Sequence, residues 1–224
     1  MRVLIDINEN NKPFISIGKG KYHMNWNSFA VFGLLLSRFI KDDCMGEFGR
    51  QIIREVIDLL SGNSRKEPLE SDDGSWRAHI KYNRAGKFQL TFYPMFLGRN
   101  GRVTGFPSIR SVKNLKDIVE NFLVPLVLAR ESLYIKYTLS RMVLEIFRLC
   151  SENREFVDDE IWKELESTME DIAEEYSRYV AILIGEVPEA KELLVPEAIG
   201  LIESLPIDPF WRNFMKEELE EYLE

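Results

Sequence analysis

Residues 75–83 read SWRAHIKYN, and residues 87–95 read KFQLTFYPM. In both stretches apolar and polar side chains alternate, which is typical of β-strands that pack one face against a core. A three-residue loop, Arg84–Gly86, pairs Tyr82 with Phe88 and sets apolar residues opposite apolar ones, whereas a two-residue loop would mix apolar with polar. The sequence therefore predicts an antiparallel hairpin with one apolar face and one polar face.

The sequence around this hairpin is basic and rich in aromatic residues. Residues 74–116 contain nine Lys and Arg and seven aromatic residues but no acid, and residues 10–41 are also free of acids. Cations attract phosphate, and exposed rings stack on unpaired bases, so this combination favours single-stranded over double-stranded nucleic acid. Phosphate contacts are expected from Arg77, Lys81, Arg84, Lys87, Arg99 and Arg102. Base stacking is expected from Tyr22, Trp26, Tyr93 and Phe96.

The residues before the hairpin predict a smaller β-unit followed by two helices. Arg2–Asn8 and Pro13–Ile17 are β-branched runs around a polar turn, and a Gly/Lys loop follows at 18–21. Apolar stripes predict helices at Asn27–Ile40 and Glu47–Leu60. Residues 63–74 are polar and are expected to form an exposed loop.

The residues after the hairpin predict a short strand at Arg102–Phe106 and then helices. These helices are expected at about Val112–Leu128, Glu131–Cys150 and Asp158–Gly185, with two short helices at the end of the chain. The Asp158–Gly185 segment has an apolar residue at heptad spacing, the pattern of a helix-bundle or coiled-coil seam. We expect this seam to support oligomerisation through Trp162, Leu165, Met169, Ile172, Tyr176, Tyr179 and Leu183.

Charge is distributed unevenly along the 224 residues. The net charge of −8 combines +8 over residues 1–150 with −16 over residues 151–224. The fold class expected is α+β: an N-terminal small antiparallel sheet with packed helices, followed by an all-helical C-terminal oligomerisation region. The corresponding domains are residues 1–128, for nucleic-acid binding, and the acidic residues 129–224, for oligomerisation or other interactions.

Catalytic and metal-binding patterns are weak in this sequence. The two histidines and two cysteines have no metal-ligand spacing, and no phosphate-loop, dinucleotide or hydrolase motif occurs. A nuclease needs several carboxylates that converge on metal ions, and Asp6 on the first strand has no such partners between Asp73 and Asp117. We therefore expect no enzyme activity, cofactor or metal. Apolar runs of eight residues are too short to span a membrane, and a cytoplasmic location is expected.

The hairpin, the aromatic helix before it and the long helical C-terminal part resemble the ThermoDBP-related proteins of thermophilic archaea. The resemblance covers about residues 1–150 and rests mainly on SWRAHIKY at 75–82 and FQLTFYP at 88–94. It implies an N-terminal α/β domain that binds single-stranded DNA through an apolar cleft with basic edges, and helices that assemble dimers or tetramers. The scarcity of glutamine beside abundant Glu and Lys also hints at a thermophilic source. The acidic tail departs from the family pattern and argues against strong DNA affinity.

Two function classes remain open from the sequence. The first is a sequence-tolerant, non-enzymatic protein that binds single-stranded DNA, with RNA as a further possible ligand, and that forms homo-oligomers. The alternative is a protein-interaction or scaffold module with weak or no intrinsic nucleic-acid affinity, whose acidic helices form the working surface. In that alternative the aromatic residues of the hairpin are core, and its basic face is simply solvated.

Overall fold

The computed structural model describes residues 3–17, 20–41, 43–60, 68–72, 74–82, 88–94 and 132–223. These residues are mostly helical and include two small antiparallel sheets, which agrees with the expected α+β class. The predicted strand at Arg102–Phe106 and the predicted helix at Val112–Leu128 lie outside the described residues.

The first sheet contains β1 (Val3–Ile7), β2 (Pro13–Ile17) and β3 (Gly20–His23), antiparallel and in that order. The turn between β1 and β2 is built by Asn8, whose Oδ1 accepts hydrogen bonds from the backbone N–H of Asn10 and of Lys12 at 2.9 and 3.0 Å. Asn11 has a φ of 55°, a left-handed conformation that asparagine tolerates better than most residues. The asparagine-rich sequence therefore accounts for the turn.

The second sheet contains β4 (Leu69–Glu70), β5 (Trp76–Tyr82) and β6 (Phe88–Pro94), again antiparallel and in that order. Both sheets include a strand at a position where the sequence predicted a loop: β3 in the Gly/Lys stretch and β4 within residues 63–74. These two strands are short and lie at sheet edges. Their backbones join an existing strand by hydrogen bonds, which needs no alternation of side chains that a sequence pattern could reveal.

Helix α1 (Trp26–Lys41) is almost entirely buried, and α2 (Asp43–Leu60) follows it. Asn25 begins α1, because its Oδ1 accepts the backbone N–H of Ser28 at 2.7 Å. A stripe of apolar residues predicted this helix, but apolar residues also cover most of its circumference. That composition is typical of a helix enclosed by neighbours on several sides.

The C-terminal part contains α3 (Leu133–Glu152), α4 (Asp159–Glu186), α5 (Lys191–Glu203) and α6 (Pro209–Glu220). Single 3₁₀ turns at Arg154–Phe156 and Pro188–Ala190 precede α4 and α5. The bounds of α3 and α4 differ from the predicted helices by one or two residues. Asp158 and Asp208 stand at the N-caps of α4 and α6, where acidic side chains favour the helix dipole.

One continuous core joins the sheets to the C-terminal helices. Helix α1 packs against both α3 and α4, and the cluster of buried side chains runs from Ile15 in β2 to Leu219 in α6. Helix α1 lies close to α3 at Gly33, where an added Cβ would lie 2.7 Å from Cγ2 of Ile146. The expected boundary at 128/129 lies outside the described residues, and the helices on its two sides share this core.

Candidate nucleic-acid interface

The register of β5 and β6 is the one that the alternation of the sequence predicted. Tyr82 pairs with Phe88, and Ala78 pairs with Phe92, so the apolar positions of the two strands lie opposite each other. The other set of positions defines the polar face of this sheet: Arg77, His79 and Lys81 on β5, and Gln89, Thr91 and Tyr93 on β6. Because the side-chain period of a strand is two, this pairing brings all six positions to one side.

Burial along β5 agrees with this assignment of the two faces. Ala78 is 1% exposed and belongs to the core cluster, whereas its neighbours Arg77 and His79 are half-buried. Helix α1 also reaches the start of this strand, because Nη2 of Arg38 donates a hydrogen bond to Oγ of Ser75 at 2.9 Å. The polar face is therefore the outer face at the start of β5.

Strand β4 adds an acid to the polar face. Glu70 pairs with Arg77 in the antiparallel register, and its Oε1 accepts a hydrogen bond from Nη2 of Arg77. The acid-free stretch in the sequence begins at residue 74, so it could not reveal a carboxylate that folding brings in from the preceding segment. Arg77 is thus already ion-paired, and a phosphate that binds there has to compete with Glu70.

Most of the other predicted phosphate and stacking residues have no described side chain. The backbone register assigns Lys81 and Tyr93 to the polar face. Outside the described residues lie Arg84, Lys87, Phe96, Arg99 and Arg102. Tyr22 is described by its backbone alone, which pairs with Ile15 in the first sheet.

Trp26 is not available for base stacking. Its side chain is 6% exposed, its Nε1 donates to the carbonyl oxygen of Asn11 at 3.1 Å, and its ring packs against Phe29 and Phe156. The expectation for this residue was wrong, because the first residue of α1 faces the β1–β2 turn and not solvent. Its loop position in the sequence did not reveal that contact.

A second cationic feature, which the sequence analysis missed, lies on the first sheet. Nζ of Lys21 lies 3.6 Å from the centroid of the Phe14 ring, and the ring of His23 lies 5.5 Å from that of Phe14. Asn8 Nδ2 lies 3.1 Å from Nδ1 of His23 and ties this group to the β1–β2 turn. The available signal was Lys21 two residues before His23, at strand spacing, within a segment interpreted as a loop.

The predicted oligomerisation seam packs within a single chain. Its five central residues are buried, and the two terminal ones, Trp162 and Leu183, are partly buried against the same core. The buried residues are Leu165, Met169, Ile172, Tyr176 and Tyr179. The partners are within the chain, because α4 packs against α1, α3, α5 and α6. The five buried seam residues are therefore not available as a surface for a second chain.

Burial also controls the ionisation of several groups in this core. It raises the pKa of Cys150 far above its usual value, so this thiol stays protonated and is a poor nucleophile. Burial raises the pKa of Tyr176 and Tyr137, whose rings stack with centroids 5.6 Å apart. The hydroxyl of Tyr176 makes no hydrogen bond of ordinary geometry among the described residues, although its interaction with the Tyr137 hydroxyl also raises its pKa.

Within the described ranges, no group of three or more His, Cys, Asp and Glu side chains lies close enough together to hold a metal ion. None of the described helices combines the length and apolarity needed to cross a membrane. Asp6, the one acid considered for nuclease chemistry, is exposed and accepts a hydrogen bond from the backbone of Ile7 at 2.8 Å. No family model, curated protein or solved structure matches this chain.

Proposed function

We propose that this chain is a non-enzymatic protein that binds single-stranded nucleic acid without strong sequence preference, as the ThermoDBP-related resemblance implies. The observation that carries the proposal is the register of β5 and β6. It sets two cationic positions, Arg77 and Lys81, and a histidine between them along one strand, with Tyr93 directly across from Arg77. Arg77 and Lys81 are four residues apart, about 13 Å along the strand, a span over which an extended single strand presents more than one phosphate.

The basic residues that follow β6 in the sequence extend this proposed interface. Lys21 on the first sheet is an exposed cation over an aromatic ring and offers a further phosphate contact. Assembly through the C-terminal helices, as dimers or tetramers, is part of the same proposal. Because the heptad seam is buried within the chain, such assembly needs surfaces other than the seam.

Fluorescence anisotropy with a labelled dT oligomer over a salt series tests the proposal. We expect affinity to fall with salt, and the salt slope to decrease by about 0.7 for each phosphate contact removed. Arg77→Gln with Lys81→Gln is the variant, and Lys163→Gln with Lys191→Gln on α4 and α5 is the control with the same change in net charge. Equal slopes in the two variants, or no binding at low salt, would contradict the proposal. A matched U oligomer compares DNA with RNA.

The alternative function is a protein-interaction module with little nucleic-acid affinity. It is favoured by a separate observation: large apolar side chains are exposed on the acidic C-terminal helices, among them Phe210 on α6 and Leu193 on α5. This alternative would be favoured if the protein binds neither the dT nor the U oligomer but does bind another protein.

A further inference from the structure

Three aromatic side chains are exposed together on the first turn and a half of α6. Phe210, Trp211 and Phe214 are 68%, 46% and 44% exposed, and they define the aromatic cluster. Phe210 lies edge-on to Trp211 with ring centroids 5.3 Å apart, and Trp211 lies edge-on to Phe214 at 6.0 Å. Contiguous apolar surface of this kind, on the outer side of a helix whose other side is buried, marks an interaction site more often than a scattered apolar residue does.

A groove between α4 and α6 adjoins the aromatic cluster. It has a volume of about 470 Å³, and Phe214 lines it as well as belonging to the cluster. Its apolar lining includes Ala181 from α4 and Met215 and Leu219 from α6. Met215 and Leu219 are buried in the core cluster, so the floor of the groove is part of the core.

Carboxylates dominate the charge of this groove. Glu174 from α4 and Glu218 and Glu221 from the C-terminal end of the chain line it, together with one cation, Arg178. Arg178 is ion-paired with Glu175 on the same helix. The surroundings are therefore acidic next to exposed rings, a combination that suits Lys and Arg because carboxylates pair with them and ring faces attract them.

The two cations of α6, Arg212 and Lys216, are also engaged within the chain. Lys216 is ion-paired with Glu203 of α5, and Nη2 of Arg212 donates to the carbonyl oxygen of Ile207 at 2.9 Å. Neither cation is therefore positioned to neutralise the carboxylates of the groove. A cationic ligand can supply complementary charge.

We propose that the aromatic cluster and the adjoining groove bind a basic amphipathic segment of a partner protein. Apolar side chains of that segment cover Trp211 and Phe214, and its Lys or Arg side chains meet Glu174, Glu218 and Glu221. The mode is a helix or extended peptide laid along a groove between two helices. None of these residues belongs to the polar face of β5 and β6, so the inference does not depend on nucleic-acid binding.

Charge argues for this partner against a second copy of the same surface. In a two-fold contact the patch meets itself, so the excess of carboxylates on one protomer would face the same excess on the other. Like charges at an interface oppose association, whereas a cationic segment gains from each of them. Phosphate would be repelled for the same reason, which separates this site from the proposed nucleic-acid interface.

The test uses the full chain and a labelled 14-residue helical peptide of Leu and Lys, with Leu at positions spaced three and four apart. Fluorescence anisotropy near physiological salt measures binding. We expect Trp211→Ala with Phe214→Ala to weaken binding at least about tenfold, because rings central to an interface carry most of its affinity. Both side chains are exposed, so the variant is expected to unfold at the same temperature as the native protein. Leu4→Ala on β1, another exposed apolar residue, is the control and is expected to bind normally.

Charge reversal provides a second, independent variant. Glu218→Lys with Glu221→Lys is expected to weaken binding at least about tenfold, while Glu164→Lys with Glu166→Lys, an exposed pair nearer the start of α4, changes the net charge equally and leaves most of the affinity. Equal weakening by both reversals, or equal binding of an oligolysine without Leu, would show a general attraction to acidic protein and overturn the proposal. No binding of the Leu/Lys peptide would overturn it as well.

Two further measurements separate the remaining explanations. Sedimentation velocity compares native protein with the Trp211→Ala, Phe214→Ala variant. If the native protein self-associates and the variant does not, the occupant is a second copy and the proposal is wrong. Affinity for the dT oligomer is expected to be unchanged in the same variant. If the native protein does not bind the dT oligomer, that result contradicts the proposed nucleic-acid function but not the proposed peptide site.

Discussion

The β5–β6 hairpin and helix α4 both follow a regular apolar pattern, but the pattern specifies different things in the two elements. In the hairpin, alternation separates an apolar face from a polar face, and the pairing of the two strands follows from it. In α4, the apolar stripe is equally regular, yet α1, α3, α5 and α6 of the same chain cover it. The comparison teaches that a pattern identifies the face that is buried, while the identity of the covering element depends on the rest of the fold.

The largest expected effect tests whether the α4 seam stabilises one chain. Leu165 is fully buried, so Leu165→Ala is expected to lower the free energy of unfolding by about 3 kcal/mol through lost apolar contact and a cavity. Urea unfolding at two protein concentrations measures this loss. The exposed neighbour Glu166 provides the control, since Glu166→Ala is expected to have little effect. If Leu165→Ala reduces the dependence of the midpoint on concentration and Glu166→Ala does not, the seam also joins chains, and the comparison fails.

The next effect tests the contact between the N-terminal and C-terminal parts. Gly33→Ala adds a methyl group 2.7 Å from Ile146 Cγ2 and 3.0 Å from Phe147 Cε1, so it is expected to destabilise the protein by about 2 kcal/mol. Gly200→Ala is the matched control on α5, where the added methyl group meets nothing within 4 Å. It is expected to be stabilising, because alanine favours a helix. Thermal unfolding of both variants gives the comparison, and a neutral Gly33→Ala would mean that α1 and α3 pack less closely.

A smaller effect concerns the buried tyrosines of the helical core. Tyr176→Phe removes a buried hydroxyl that lacks a hydrogen bond of ordinary geometry, and we expect a gain of about 1 kcal/mol in the free energy of unfolding. Urea unfolding at neutral pH measures this gain. A clear loss of stability would show that the hydroxyl has a strong partner.

The same tyrosines predict a loss of stability in alkali. Burial raises the pKa of Tyr137 and Tyr176 above the ordinary value of 10.0, and burial with a hydrogen bond to Glu175 raises the pKa of Tyr179 to about 12. The contribution of these three tyrosines to the free energy of unfolding is complete below pH 10.0, the ordinary pKa of tyrosine. It is lost as the pH rises above that value, because tyrosines of the unfolded chain release protons that the folded chain retains. Tyr176→Phe is expected to lose less stability in alkali than the native protein.

The smallest expected effect concerns the polar face and tests whether Glu70 competes with nucleic acid for Arg77. Glu70→Gln removes the carboxylate that pairs with Arg77, and we expect affinity for the dT oligomer to rise about twofold, since an exposed ion pair is worth about 0.5 kcal/mol. Glu47→Gln on α2 is the matched control, because Glu47 pairs with Arg50 at 2.7 Å and gives the same change in net charge. An equal rise in both variants would reflect net charge and not the polar face.

The sequence by itself determined the register of β5 and β6, the positions of α1, α3 and α4 to within two residues, and the uneven charge. These features depend on side-chain periodicity and on local hydrogen bonding, which neighbouring residues specify. It also predicted the wrong environment for Trp26, because a position at the start of a helix carries no information about the turn that folds against it.

Tertiary structure alone decided which surfaces cover one another. It brought Glu70 beside Arg77, added β3 and β4 to the sheet edges and enclosed the heptad seam within one chain. It also left Trp211 and Phe214 exposed, although both are aromatic and each lies beside a buried stripe of α6. The physical reason is that burial depends on long-range packing, since an apolar side chain gains the same free energy from any apolar neighbour that excludes water.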